Sequence, residues 1–253
     1  PTLTGFAIIF MIACICRTIS AYNLSRYSEP SPLPYREKRV APSVFLSRLL
    51  HASDGRLVLY AMAVSITVQV AQPFFVPFMR EELKVNGTWL ALLLAGSFVG
   101  KMICFPFAGS LAQRYGPRLV LRIGGFGIVP VSVFWLFTDD LGALLMLQVV
   151  SGALWAFYEL GLFLMYYDAI KPEERTSVLA LYNGANSLFI TSGSLVGGWL
   201  LRAEGSNFAA FEFIFVLSFG LRALTLLLML RVKPIAASSD VVTPEPVSVR
   251  AGS

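Results

Sequence analysis

The chain has 253 residues, of which 56% are hydrophobic, 13% aromatic and only 14% charged, with a mean hydropathy of +0.70. Soluble domains run at about 45–50% apolar and about 25% charged residues, so soluble enzymes, nucleic-acid-binding modules and disordered proteins are excluded. The formal net charge of +5 matters less here than where the charges lie along the chain.

The first residue is Pro1 rather than Met, and the chain is expected to be a fragment or a processed product. A helix needs about 20 apolar residues to cross the hydrocarbon core, at about 1.5 Å per residue. Seven runs meet that length, over 3–22, 57–79, 88–112, 119–138, 141–167, 177–201 and 208–230. They are too long for barrel strands, so the predicted fold is all-α and polytopic, with seven transmembrane helices. The first run ends on Arg17 and Tyr22 and lacks a clean cleavage site, which argues against a signal peptide.

Residues 23–55 break the pattern. They carry Pro30, Pro32, Pro34 and Pro42, then an amphipathic stretch around Val44–Leu50 that reads as a segment on the membrane surface. From 236 onward the chain is rich in Ser, Pro and Val and is expected to be disordered. The expected parts are a partial first region over 1–22, a linker over 23–55, a six-helix region over 56–232 and a tail over 233–253.

Fifteen of the 20 basic residues mark one side of the membrane. They are Arg17, Arg26, Arg36, Lys38, Arg39, Arg48 and Arg56 in and around the linker, and Arg114, Arg118 and Arg122 between spans three and four. Lys171 and Arg175 precede span six, and Arg231, Lys233 and Arg250 belong to the tail. The positive-inside rule places this side, linker and tail included, in the cytoplasm. The expected location is a bacterial inner (plasma) membrane.

The connection between spans three and four reads Gly109-Ser-Leu-Ala-Gln-Arg-Tyr-Gly-Pro-Arg118. It resembles the G-x-L-A-D-R-x-G-R-R signature of the major facilitator superfamily. Gly109, Leu111, Ala112, Arg114, Gly116 and Arg118 match it; Gln113 stands where the family usually has Asp, and Pro117 where it often has Arg or Lys. Gly109 is read as permitting close approach of two helix ends, Gly116 as permitting a tight turn, and the arginines as binding carbonyls or carboxylates at helix ends. The segment Pro172-Glu-Glu-Arg175 also looks like the family's loop between its tenth and eleventh helices. The resemblance implies a second six-helix half preceded by the sixth helix and the central linker, with the other five helices of the N-terminal half upstream. It marks Gly109, Gln113, Arg114, Gly116 and Arg118 as a cytoplasmic gate motif.

Polar groups inside spans are costly in hydrocarbon and are expected to face a bundle interior or a cavity. Ser65, Gln69 and Gln72 share one face of span two, with Pro73 and Pro77 after them inviting a kink. Ser97, Lys101 and Cys104 share a face of span three, Gln148, Gly152, Trp155 and Glu159 a face of span five, and Asn183, Asn186 and Ser187 follow in span six. A cavity lined by several helices explains these stripes together; bridging between neighbouring helices is the alternative for the amides, and packing for Trp155. At about 1.5 Å per residue, Lys101 and Glu159 reach similar depth, roughly 20–22 Å. They are expected to pair, either as a fixed strut or with Glu159 binding a proton or cation and Lys101 competing for it. The candidate pathway residues are therefore Gln69, Gln72, Lys101, Gln148, Trp155, Glu159, Asn183 and Asn186. Arg222 is expected to reach inward or bind a neighbouring helix's carbonyls, outside that pathway.

Gly96-x-x-x-Gly100 and Gly193-x-x-x-Gly197 read as close helix contacts. Gly124-Gly125-x-Gly127 follows no strand, so a nucleotide site is not expected. Cys14, Cys16 and Cys104 form neither a disulfide framework nor a metal site, and no cofactor is expected. A single histidine, His51, cannot supply an enzymatic triad. A seven-helix receptor remains the alternative, although a retinal protein would place its lysine in the last helix rather than the third. Secondary transport of a small solute by alternating access is the expected function, with a proton as candidate coupling ion. The expected partners are that solute, the bilayer and the upstream half, with no nucleic acid; oligomeric state, substrate and direction are not specified.

Overall fold

The computed structural model describes residues 3–26, 38–51, 53–205 and 207–231. The expected disorder of the tail and most of the proline-rich part of the linker lie outside them. The chain divides into two compact units, Pro1–Glu37 and Lys38–Ser253. Among the described residues there is no strand.

The first unit holds helix α1, Leu3–Ser25. Its polar side chains are satisfied locally: the Thr18 hydroxyl donates to the Cys14 carbonyl (2.9 Å) and the Asn23 amide to that of Ile19 (3.0 Å). A helix in apolar surroundings closes its own hydrogen bonds in this way.

The second unit is a helical bundle. Helix α2, Pro42–His51, is followed by α3, Ser53–Gln69. A 3-10 turn over Gln72–Phe74 then leads into α4, Phe75–Glu81. Pro73 lacks the N–H that would continue the helix, so the expected kink is a real break. Helix α5 covers Gly87–Tyr115, its first turn capped by Asn86, whose side chain accepts from Trp89 N at 2.9 Å.

The run 119–138 was expected to form one helix but is two: α6, Pro117–Gly127, and α7, Val131–Phe134. Pro130 interrupts the ladder between them. Helix α8, Leu141–Ala169, starts at the Asp140 cap, which accepts from Ala143 N at 2.8 Å. Helices α9, Arg175–Ala203, and α10, Phe208–Arg231, complete the bundle.

Among the described residues, five stretches are long and apolar enough to cross a membrane: Gly55–Glu81, Gly87–Tyr115, Pro117–Phe134, Leu141–Ala169 and Phe208–Leu230. Helix α9 has the length, 29 residues, but Asn183, Asn186, Ser187 and Thr191 make it too polar to count with them.

Glycines set the helix crossings. Gly100 of α5 lies against the Val149 backbone of α8, and Gly152 of α8 against the Ser97 backbone of α5. Gly124 and Gly161 meet α8 and α6 in the same reciprocal way, at Tyr158 and Leu121. Gly193 and Gly197 of α9 meet the Ile66 and Val70 carbonyls of α3 and its end. Backbones this close leave no room for a Cβ, as in small-residue crossings within membranes.

Two large apolar cores result, with a small third one around Ala108, Ala112 and Val120. One gathers Phe45, Leu57, Tyr60, Leu121, Tyr158 and Met229. The other gathers Phe78, Met79, Leu93, Trp135, Phe211 and Phe215, and includes the rings of Phe75 and Phe215 stacked 4.6 Å apart.

The stretch expected to be amphipathic folds back on the bundle end. Phe45 and Leu49 of α2 are buried while Val44 and Leu46 stay exposed. Arg48 Nη1 donates to Glu174 Oε2 at 2.6 Å, and Lys38 Nζ lies 3.5 Å from Oε1. Lys38 N donates to the Glu173 carbonyl and Val40 N to the Ser177 hydroxyl. Segment 38–51 is therefore strapped to the turn Pro172–Glu174 between α8 and α9.

The Arg48 hydrogen bond holds the Glu174 carboxyl below its usual range, against an opposing effect of burial. A lowered folded pKa means the strap's contribution is complete above about pH 4.5. It is lost as pH falls through the folded value. A charge-assisted hydrogen bond contributes about 1.5–3 kcal/mol. Glu174→Gln is thus expected to speed hydrogen exchange of the α2 amides roughly tenfold at neutral pH. Unchanged α2 exchange would contradict the strap.

Candidate functional site

A cavity of about 460 Å³ takes its lining from both larger cores, Val68 and Trp155 from one and Phe75, Met79 and Trp135 from the other. The breaks at Pro73 and Pro130 position two of its walls. Around the first, Gln72, Phe75 and Met79 line it; after the second, Val131 and Trp135 do. Helix α5 contributes Ser97, Phe98 and Lys101, spaced as one helical face. Helix α8 contributes Gln148, Ser151, Trp155 and Glu159, also one face, and α10 contributes Arg222.

Lys101 Nζ donates to Glu159 Oε1 at 2.7 Å and to Oε2 at 3.0 Å. The glycine crossing explains why they meet. Gly152 touches α5 at Ser97, about one turn before Lys101 and two turns before Glu159, and the long lysine side chain spans the difference. Their side chains are 30% and 45% exposed, so the pair faces the open side of the cavity. Trp155 stands edge-on to Tyr158, with ring centroids 5.5 Å apart.

Of the eight residues expected to line a pathway, Gln72, Lys101, Gln148, Trp155 and Glu159 converge here. The other three are elsewhere. Gln69 lies against Gly193 at the α3–α9 crossing. Asn183 is exposed, with its carbonyl taken by the Ser187 hydroxyl at 2.9 Å. Asn186 keeps a buried Oδ1 with no hydrogen-bond partner.

Arg222 lines the cavity although it was not counted among the pathway residues. It is 3% exposed, and its Nη1 donates to the Ile128 carbonyl at 3.0 Å. That part of the expectation, a neighbouring helix's carbonyl, is what the geometry displays. Trp135 was also missed, because a continuous helix over 119–138 gave no reason to single it out.

In the α5–α6 connection Gly116 adopts φ +86° and ψ 156°, a region open essentially to glycine alone. It ends α5 and lets Pro117 open α6 within one residue. Gln113 and Arg114 are exposed and Arg118 half-buried. The close approach expected at Gly109 is not made: no atom comes within 4 Å of where its Cβ would be.

Helices of membrane-crossing length around a charge-lined cavity define a polytopic integral membrane protein. The sequence model of the Major Facilitator Superfamily matches residues 57–250, and the chain belongs to that superfamily. It is similar to the Staphylopine export protein of Staphylococcus aureus (strain Mu50 / ATCC 700699), 26% identical over 142 residues. The match covers 56% of this chain and 36% of that protein, so the chain spans little more than a third of the relative's length.

Proposed function

We propose that the chain supplies the second six-helix half, preceded by one further helix and a cytoplasmic linker, of a secondary transporter that moves a small solute by alternating access. The observation that carries the reading is the cavity walled by broken helices with the Lys101–Glu159 pair on it. Residues 1–22 are then the last helix of the first half, 23–55 the linker, 56–232 the second half and 233–253 the tail. On this reading seven helices cross the bilayer, α9 among them, its polar face tolerated because it borders a water-filled pathway. Gln69, Asn183 and Asn186 belong to that pathway rather than to the cavity seen within this half.

Glu159 is the proton- or cation-binding group and Lys101 its internal competitor. The motif from Gly109 to Arg118 forms part of a cytoplasmic gate, with Gly109 kept clear for the opposing half. The export role in the name of the Staphylococcus aureus relative favours outward movement of the solute. Solute movement across a bilayer involves no bond chemistry, so no catalytic residue is assigned. The experiment is flux through proteoliposomes holding the full-length protein, with and without an imposed proton gradient, over a panel of small solutes. Gradient-dependent flux of any of them is the expected result; absence of flux for all would overturn the reading.

A further inference from the structure

The charges of the cavity do not balance. Lys101 and Glu159 neutralise one another, and Lys101 engages both oxygens of that carboxylate. Arg222 is left without an ion-pair partner among the described residues. Among the described residues, Glu159 is the only acidic group on the cavity wall. On α10 itself Glu212 is exposed and ten residues away, about 15 Å along the axis.

Arg222 is nevertheless nine-tenths buried. One nitrogen serves the Ile128 carbonyl freed at the Pro130 break. The Nε is buried with no hydrogen-bond partner among the described residues. A guanidinium at membrane depth with an unused donor and no counter-charge is costly unless something anionic joins it.

We infer that the cavity takes an amphipathic organic carboxylate, its oxyanion paired with Arg222 and its apolar body against Phe75, Phe98, Trp135 and Trp155. This rests on the proposed cavity as the substrate site. The guanidinium fork matches a planar carboxylate through two parallel N–H donors, which a lysine could not do. The aromatic side chains supply apolar surface to the rest of the molecule. A fixed strut between α10 and the α6–α7 break is the competing role for Arg222, and it predicts no preference for anions.

The full-length protein in lipid nanodiscs is titrated with dansylglycine, with its neutral amide, and with a dansyl phosphate monoester. The carboxylate is expected to bind about tenfold or more tightly than the amide. Arg222→Gln is expected to erase that preference while leaving amide binding unchanged, and Arg222→Lys to retain part of it. Equal binding of carboxylate and amide by the unaltered protein, or binding of neither, overturns the inference without needing any variant to fold. Tightest binding of the phosphate ester overturns the assignment to carboxylates. An equal loss for both dansylglycine and its amide in Arg222→Gln assigns the residue to the strut and also overturns it. Because binding is read at equilibrium, lost selectivity with intact flux removes this inference alone. Retained selectivity without flux of any solute removes the transport reading alone.

Discussion

Gly152→Leu is expected to yield no monodisperse protein in detergent. The Cβ it adds would fall on the Ser97 backbone of α5, and the reciprocal Gly100 site already holds α5 against the Val149 backbone. A crowded side chain can rotate away; a helix backbone can only translate. Here α8 is not free to translate, because Gly161 and Gly124 bind it to α6 at Leu121 and Tyr158. Moving α8 off α5 therefore opens or crushes the second crossing. Overpacking of ordinary cores costs about 1–3 kcal/mol, and backbone on the opposing side puts this change at or above the upper end. Gly220→Leu, where no atom lies within 4 Å of the added Cβ, is the control and should elute as the parent does. Size-exclusion profiles and melting temperatures decide the matter. A Gly152→Leu protein that melts with the parent would contradict the crossing.

The apolar runs were legible because length and hydropathy are local properties, and five of them overlap stretches of membrane-crossing length among the described residues. Helix faces were legible for the same reason: Gln148, Trp155 and Glu159 recur at helical spacing and do line one cavity. Depth was legible too, since the rise per residue is fixed, and Lys101 does reach Glu159. What periodicity cannot supply is the neighbour a face meets. Gln69 and Gln72 lie three residues apart on the same stripe, yet one packs at Gly193 and the other lines the cavity. Helix α3 stops at Gln69 and the 3-10 turn starts at Gln72, so the chain breaks between them, ahead of Pro73, and turns the later residues inward. The place of Arg222 on the cavity wall was not legible for a related reason. Its role depends on an orphaned carbonyl at Ile128, which exists only because α6 stops before Pro130. The signal was present in the sequence as Gly127 and Pro130 within one apolar run, and a break there would have called for a donor.

Glu159→Gln is expected to reduce proton-gradient-driven flux at least about tenfold while barely moving the melting temperature. The exposure of the pair separates these two readouts. With side chains 30% and 45% exposed, the Lys101–Glu159 ion pair resembles a solvated pair more than a sealed one. Such pairs contribute about 1 kcal/mol or less to stability, whereas breaking a fully buried pair costs about 3–5 kcal/mol. A static strut on this geometry has little stability to lose, so a large effect on flux cannot be ascribed to unfolding. Lys101→Met should act in the opposite sense on flux, because it leaves the Glu159 carboxylate without a competitor for a proton or cation. The double variant Lys101→Met/Glu159→Gln completes the cycle. In the coupling role its flux stays as low as that of Glu159→Gln, because the proton site is gone whatever stands opposite it. In the strut role the double variant recovers toward the parent, because the unpaired ammonium left by Glu159→Gln has been removed. Flux across that cycle against pH, with melting temperature measured on the same preparations, distinguishes the two, and recovery in the double variant would remove Glu159 from coupling.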